Sequence, residues 1–295
     1  MRLGIRQKLF LAVGIIAAMA VVSSLISFGF FGQVRSALGL VTERSVPSVI
    51  SALTLASQSA DLAAAAPNLA YAAGEGERKN AMAELTGKLV QIERTLADVK
   101  ESDAPTELRE AVESGVKQLS DALQRIDSAV KLKLAQNEKR QALTKTLTES
   151  HANFLMLAQP AVDQAVMDMT MEFELVSRST GSGTGEMIQS ILDKQVAGAR
   201  AMQDLVAKVN QEVGLLAVAA QGDSPEQIEL LAVDNINVKA EMLRSLETMQ
   251  AVYPNKEIEE LVNKLATIGE GDSGLLQIRL TELAAARQAV AALGE

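Results

Sequence analysis

The chain has 295 residues, of which 48% are hydrophobic, 22% charged and only 3% aromatic, so a disordered tail is excluded. It contains no cysteine, no tryptophan and one histidine, and therefore lacks the usual material of disulfide scaffolds, zinc sites and aromatic-rich β-sandwiches. The formal net charge of -9 leaves no basic face to neutralise a phosphate backbone, so nucleic acid is not expected as a partner. An all-α protein is what remains.

An uncharged apolar run covers residues 9–31, near the start of the chain. At a rise of about 1.5 Å per residue, a helix of this length crosses a hydrocarbon layer of ~30 Å, so the run predicts a transmembrane helix. Basic residues precede it: Arg2, Arg6 and Lys8. By the positive-inside tendency, residues 1–8 lie in the cytoplasm and the bulk of the chain in the periplasm of a bacterial inner membrane. A cleaved signal peptide is the disfavoured alternative, because the apolar run continues past its small-residue cleavage site.

Glycine and proline clusters divide the remaining chain into segments with helical apolar spacing. The pattern predicts helices over residues 33–73, 77–101, 105–178, 186–220 and 225–252, a shorter piece ending at Ile268, and a last helix starting near Leu276. The segment from Pro105 to Arg178 contains no strong breaker and would form a helix on the order of 110 Å long. Its polar stretch over residues 135–141 predicts a change of packing partners there. Strand alternation is absent from the sequence.

These lengths predict an N-terminal transmembrane helix followed by two stacked antiparallel helical bundles that share one long helix. The membrane-proximal bundle is expected over residues 32–137 and the membrane-distal bundle over residues 138–295. A return helix through both bundles would need roughly 70 residues, whereas only residues 275–295 remain for it. The membrane-proximal bundle is therefore expected to lack its fourth helix, either because the sequence is truncated or because another chain supplies that helix.

Two stretches resemble a known family: SVPSVISALTLASQSADLAAAAPNLAYA at Ser45 to Ala72, and GEGDSGLLQIRLTELAAARQAVAAL at Gly269 to Leu293. They are similar to the extracytoplasmic input region of the trimethylamine-N-oxide-type (Tor) sensor histidine kinases, the helical bimodular sensor class, which some chemoreceptors share. The resemblance implies an input fold of stacked bundles and a homodimer. In that family a second membrane helix, a HAMP linker and a transmitter follow, and this sequence contains none of the three.

A polar layer is predicted in the membrane-distal bundle. His151 lies in the apolar seam between Leu147 and Phe154, and its height above the polar stretch matches that of Asn210 and Asn235. Such a layer either binds a small polar ligand or fixes helix register, as a core asparagine does in coiled coils. The register role is favoured, because no aromatic or strongly charged residue converges there.

A second candidate ligand site is a pair of arginines in the membrane-proximal bundle. Arg44 precedes Pro47 on the first bundle helix, and Arg94 lies on the second. Two guanidinium groups can hold a carboxylate, so the pair predicts an organic-anion site. Loss of binding in Arg44→Ala, measured by calorimetry, would test it.

Other motifs favour structural roles. The runs GSGTGE and GEGDSG have the glycine spacing of phosphate loops, but no strand precedes either, so both are interpreted as turns between helices. Met167, Met169 and Met171 do not share one helical face, which favours core filling over copper binding. We find no nucleophile, base or metal constellation, and expect no enzymatic activity, cofactor or metal.

The sequence thus predicts the sensory input module of a membrane signal-transduction receptor, such as a two-component kinase or a chemoreceptor. It would sense a small polar ligand or a periplasmic binding protein by helix repacking. The alternative is a membrane-anchored structural or interaction protein without a ligand. A gene that continues into a second apolar segment and a transmitter would favour the sensor.

Overall fold

The computed structural model describes residues 46–101, 106–178 and 184–294, together with positions 19, 21–24, 26–35 and 39 near the N-terminus. Within the predicted membrane span, residues 9–18, 20 and 25 lie outside the described residues. The described residues of the predicted span are helical and expose large aromatic side chains: Phe28, Phe30 and Phe31. The described residues form no strand, which confirms the all-α prediction.

The helices closely follow the predicted segments. In chain order they are α1 (Val46–Ala70), α2 (Glu75–Glu101), α3 (Thr106–Arg178), α4 (Thr184–Ser190), a π-helical turn (Ile191–Val196), α5 (Ala197–Gln221), α6 (Pro225–Gln250), α7 (Lys256–Ile268) and α8 (Leu275–Ala291). Helix α3 runs uninterrupted for 73 residues with Pro160 inside it. The prediction of one long helix is therefore confirmed.

Local signals set the boundaries of the shorter helices. Ser224 caps α6, with its hydroxyl accepting from the backbone N–H of Gln227, and Pro225 occupies the first turn. Asn255 caps α7 through the backbone N–H groups of Glu257 and Ile258. The turn between α7 and α8 carries Gly271 at a φ of 69°, a left-handed conformation that favours glycine. The GEGDSG run is thus a helix–helix turn, as predicted.

The first of two compact units comprises residues 1–66 and 81–123. Its core uses leucines and isoleucine at heptad-like spacing: Leu55 and Leu62 on α1, Leu85, Ile92 and Leu96 on α2. Thr95 of α2 also donates a hydrogen bond to Gln58 of α1 over 3.0 Å. Among the described residues, the segment Val49–Ala70 of α1 is long and apolar enough to cross a membrane, but its buried leucines also suit a bundle core helix.

The second compact unit comprises residues 67–80 and 124–295 and contains the larger core. Helices α5 and α6 pack along each other. Buried apolar side chains from five helices meet around this pair: Leu147, Phe154, Leu205, Leu216, Ile228, Met242, Val262, Leu265 and Leu275. Helix α3 contributes residues to both units. The predicted domain boundary after residue 137 stays a prediction.

The methionine run on α3 does not fill the core. Met167 and Met171 are 54% and 55% exposed, and Met169 is half-buried. The core-filling interpretation is therefore wrong for two of the three. Met167 and Met171 share a helical face, as their four-residue spacing requires, and that face is more than half exposed.

Candidate functional site

The structure joins two members of the predicted polar layer. Nε2 of His151 on α3 lies 2.7 Å from Oδ1 of Asn210 on α5. His151 is half-buried and Asn210 is exposed, so this hydrogen bond lies at the surface between the two helices. Asn235 does not join it: its side chain is 3% exposed on α6, and its Oδ1 has no hydrogen-bond partner in the described chain.

Asn235 instead lines a groove of about 580 Å³ formed by α6, the α7–α8 turn and α8. One part of its wall is apolar: Ala232, Ile236, Ala240, Leu243, Leu276 and Leu280. The other part is polar and includes Asn235, Lys239, Glu270 and Asp272. A mostly apolar concavity with a few convergent polar groups is the usual form of a small-molecule site.

The turn between α7 and α8 packs directly against the helices behind the groove. A Cβ atom at Gly269 would lie 2.9 Å from Cδ2 of Leu216 on α5 and 3.0 Å from Nδ2 of Asn235. Glycine at this position thus permits the close approach of the turn backbone.

A buried carboxyl group lies behind the same wall. Glu212 on α5, one turn before Leu216, is 0% exposed, and neither of its side-chain oxygens has a hydrogen-bond partner in the described chain. Burial raises its pKa to about 7; Lys239 opposes this rise and Glu270 adds to it. Sequence reasoning missed this residue, although Glu212 occupies the apolar stripe of α5 between Val209 and Leu216.

The groove carries an ion pair. Nζ of Lys239 on α6 contacts Oε1 of Glu270 in the α7–α8 turn. The Lys239 side chain is mostly buried, whereas Glu270 is exposed. The pair therefore links α6 to the turn and holds one positive charge near Glu212.

A second buried carboxylate is fully paired. Glu282 on α8 contacts Arg140 Nε on α3 over 2.7 Å and Arg279 Nη1 over 2.9 Å. The same guanidinium groups donate to backbone carbonyls at the end of α5, Arg140 to Ala220 over 3.1 Å and Arg279 to Gly222 over 2.8 Å. This network satisfies carbonyls that a helix end leaves unpaired, and it ties α5 to α3 and α8.

The predicted arginine pair is not assembled by the described residues. Arg44 lies outside them, and Arg94 is exposed on α2. The organic-anion site therefore stays a prediction. Among the described residues, no group of three or more histidine, aspartate or glutamate side chains is arranged to hold a metal ion.

Comparison with known proteins identifies the fold. No protein-family model matches the chain, and no curated protein matches it. A solved structure of the TorS sensor domain in complex with TorT, in the presence of TMAO, is similar over 84% of this chain and 92% of that chain. The TM-score is 0.71 and the sequence identity 16%. The chain therefore has the fold of the TorS sensor domain, and the predicted resemblance is confirmed at the level of the fold.

Proposed function

We propose that the chain is the sensory input module of a membrane signal-transduction receptor. The observation that carries this proposal is the similarity to the TorS sensor domain, which extends over nearly the whole of both chains. A match of this extent includes both compact units rather than a single bundle. The chemistry of the stimulus is a separate question, because a shared fold does not determine the ligand.

The proposed location is the inner membrane, with residues 1–8 in the cytoplasm and the helical units in the periplasm. The exposed aromatic side chains Phe28, Phe30 and Phe31 support an anchor, because lipid would cover an apolar surface that water would not favour. The three basic residues before the apolar run support the orientation.

Two kinds of stimulus suit this module. The TorS sensor domain is in complex with TorT, which supports a protein partner for this chain, and we propose a periplasmic binding protein. A small polar ligand is the other kind, since the second unit contains a groove of about 580 Å³. We further propose a homodimer, on the basis of the resemblance described above.

Helix α3 is the proposed carrier of the signal. Its 73 residues belong to one continuous helix, of which residues 106–123 pack in the first unit and 124–178 in the second. A helix shifts as a stiff body, and sliding of packed helices by 1–2 Å is a common switching motion. We therefore propose that a stimulus acts by shifting α3.

Thermal unfolding of the full chain in lipid nanodiscs tests the proposal. The chain is heated with small anions, with amine oxides, and with purified periplasmic binding proteins encoded in the same genome. A ligand that binds the native state raises the unfolding temperature, so one class is expected to do so. An anion effect that Arg44→Ala abolishes would assign the ligand to the predicted arginine pair. If no class changes the unfolding temperature and no binding protein forms a complex, the sensory role is contradicted and an interaction protein is favoured.

A further inference from the structure

Buried acceptors without donors lie on and behind the groove in the second unit. Oδ1 of Asn235 and both side-chain oxygens of Glu212 are buried and accept no hydrogen bond within the described chain. Buried polar atoms in native proteins are nearly always hydrogen-bonded, so three such acceptors near one groove require an explanation. Of these two residues only Asn235 lines the groove, so a ligand that suits its free acceptor carries an N–H or O–H group.

The charges around the groove favour a cation. The charged residues that line the groove are two acidic residues, Glu270 and Asp272, and one basic residue, Lys239. Lys239 is already paired with Glu270. Glu212 adds a third acidic group that interacts with Lys239 and Glu270. An anionic ligand would meet unbalanced carboxylates here, whereas a cation would lower their mutual repulsion.

The remaining wall of the groove suits a hydrocarbon chain. Ile236, Leu243 and Leu280 line it, and Ile236 is 67% exposed. Covering such side chains with a ligand's methylene groups removes apolar surface from water, which favours binding. A ligand with one charged donor end and one aliphatic end matches both walls.

We propose that this groove binds a small aliphatic primary ammonium compound, with the ammonium group donating to Oδ1 of Asn235 and the alkyl chain lying against Ile236, Leu243 and Leu280. The Asn235 amide can present Oδ1 to the groove by rotation about χ2, a torsion with a broad energy profile. That rotation turns the donor Nδ2 to the inner side of the wall. Glu270 and Asp272 provide the negative potential, and Glu212 adds to it when ionised.

Calorimetric titration of the full chain with n-butylammonium chloride tests the site. We expect a Kd on the order of 1 mM for a ligand of this size, and a rise in unfolding temperature of about 2–4 °C at roughly ten times Kd. Asn235→Ala is expected to weaken binding about ten- to a hundredfold, because it removes a hydrogen bond to a charged group. Asn237→Ala, an exposed asparagine on the same helix, is the matched control and should bind like the parent chain.

Three further probes separate the parts of the proposal. Tetramethylammonium has the charge but no N–H donor, n-butanol has the chain but no charge, and n-butanoate reverses the charge, so each is expected to bind at least tenfold more weakly. Equal binding of tetramethylammonium or n-butanol, stronger binding of n-butanoate, or unchanged n-butylammonium affinity in Asn235→Ala would each overturn the proposal.

An alkylammonium ligand would be the stimulus of the proposed sensory module. The binding site itself does not depend on that sensory role, but its use as a stimulus site does. Calorimetry on the isolated chain detects binding without any signalling output. Failure of n-butylammonium to bind therefore removes this site and leaves a response to anions, amine oxides or binding proteins possible. Conversely, amine binding by a chain that never alters the activity of a fused transmitter would support the site and contradict the sensor.

Discussion

Two buried glutamates in the second unit have opposite surroundings. Glu282 contacts two guanidinium groups, which also bind the carbonyls at the end of α5. Glu212 is at least as buried, yet neither of its oxygens has a hydrogen-bond partner in the described chain. The first arrangement stabilises the junction of three helices. The second costs stability, and such a cost persists in native proteins mainly where a site has a use for it.

The largest expected effect comes from breaking the paired arrangement. Glu282→Ala leaves Arg140 and Arg279 largely buried without their carboxylate, which is expected to lower the free energy of unfolding by about 3–5 kcal/mol. Urea unfolding measures this change. Glu229→Ala removes an exposed glutamate from α6 and is the control, with an expected change within about 0.5 kcal/mol. A loss below about 1 kcal/mol for Glu282→Ala would show that the network does not hold the helices together.

The unpaired Glu212 predicts that stability depends on pH. Burial raises the pKa of Glu212 from 4.5 in the unfolded chain to about 7 in the folded chain. The folded state therefore binds the proton more tightly than the unfolded state, and this contribution to stability is fully present below pH 4.5. It is lost as the pH rises from 4.5 to about 7. Relative to Glu212→Gln, the chain should lose about 3 kcal/mol of unfolding free energy over that range and nothing further above it. Denaturant unfolding at several pH values measures the difference. A difference independent of pH would contradict the unpaired state of Glu212.

A smaller effect is expected where the turn meets the groove wall. In Gly269→Ala the new methyl group would lie 2.9 Å from Leu216 and 3.0 Å from the Asn235 amide, so both side chains must shift. We expect a loss of about 1–2 kcal/mol, since both neighbours are side-chain ends that can move. Gly214→Ala on α5 meets no atom within 4 Å and is expected to gain about 0.5–1 kcal/mol as a control. Equal changes in the two variants would mean that the turn does not pack as closely as described.

The smallest effect concerns the surface pair of His151 and Asn210. Their hydrogen bond of 2.7 Å lies at the surface, where water can replace it. Asn210→Ala is therefore expected to lower the unfolding free energy by only about 0.5–1 kcal/mol. A double-mutant cycle with His151→Ala isolates the pair. A coupling energy near zero would show that this part of the polar layer does not fix helix register.

The helices could be predicted because their signals are local. Apolar spacing, Ser224 and Asn255 as caps, and the glycines of the α7–α8 turn each act within a few residues. The helical rise along α3 and α5 also predicts that His151 and Asn210 lie at the same height, and in the structure these two side chains form a hydrogen bond.

The site was harder to predict because its contacts are distant in sequence. Arg140 and Glu282 are 142 positions apart, and no spacing rule connects them. The sequence predicts Asn235 in a polar layer with His151, but its position on the groove depends on how the α7–α8 turn folds back. Glu212 lies in the apolar stripe of α5, but an acidic residue usually indicates a solvated face, so the residue type masks its burial.

The ionisation state of Glu212 can be measured directly by carboxyl NMR of the full chain with ¹³C-labelled glutamate. Comparison with Glu212→Gln assigns the resonance. We expect a titration midpoint near pH 7, and a lower midpoint when n-butylammonium is bound, because a nearby cation favours the ionised carboxyl. A midpoint near 4.5 without ligand would show that Glu212 is not an unpaired buried carboxyl, and a midpoint that saturating n-butylammonium does not change would rule out the proposed site.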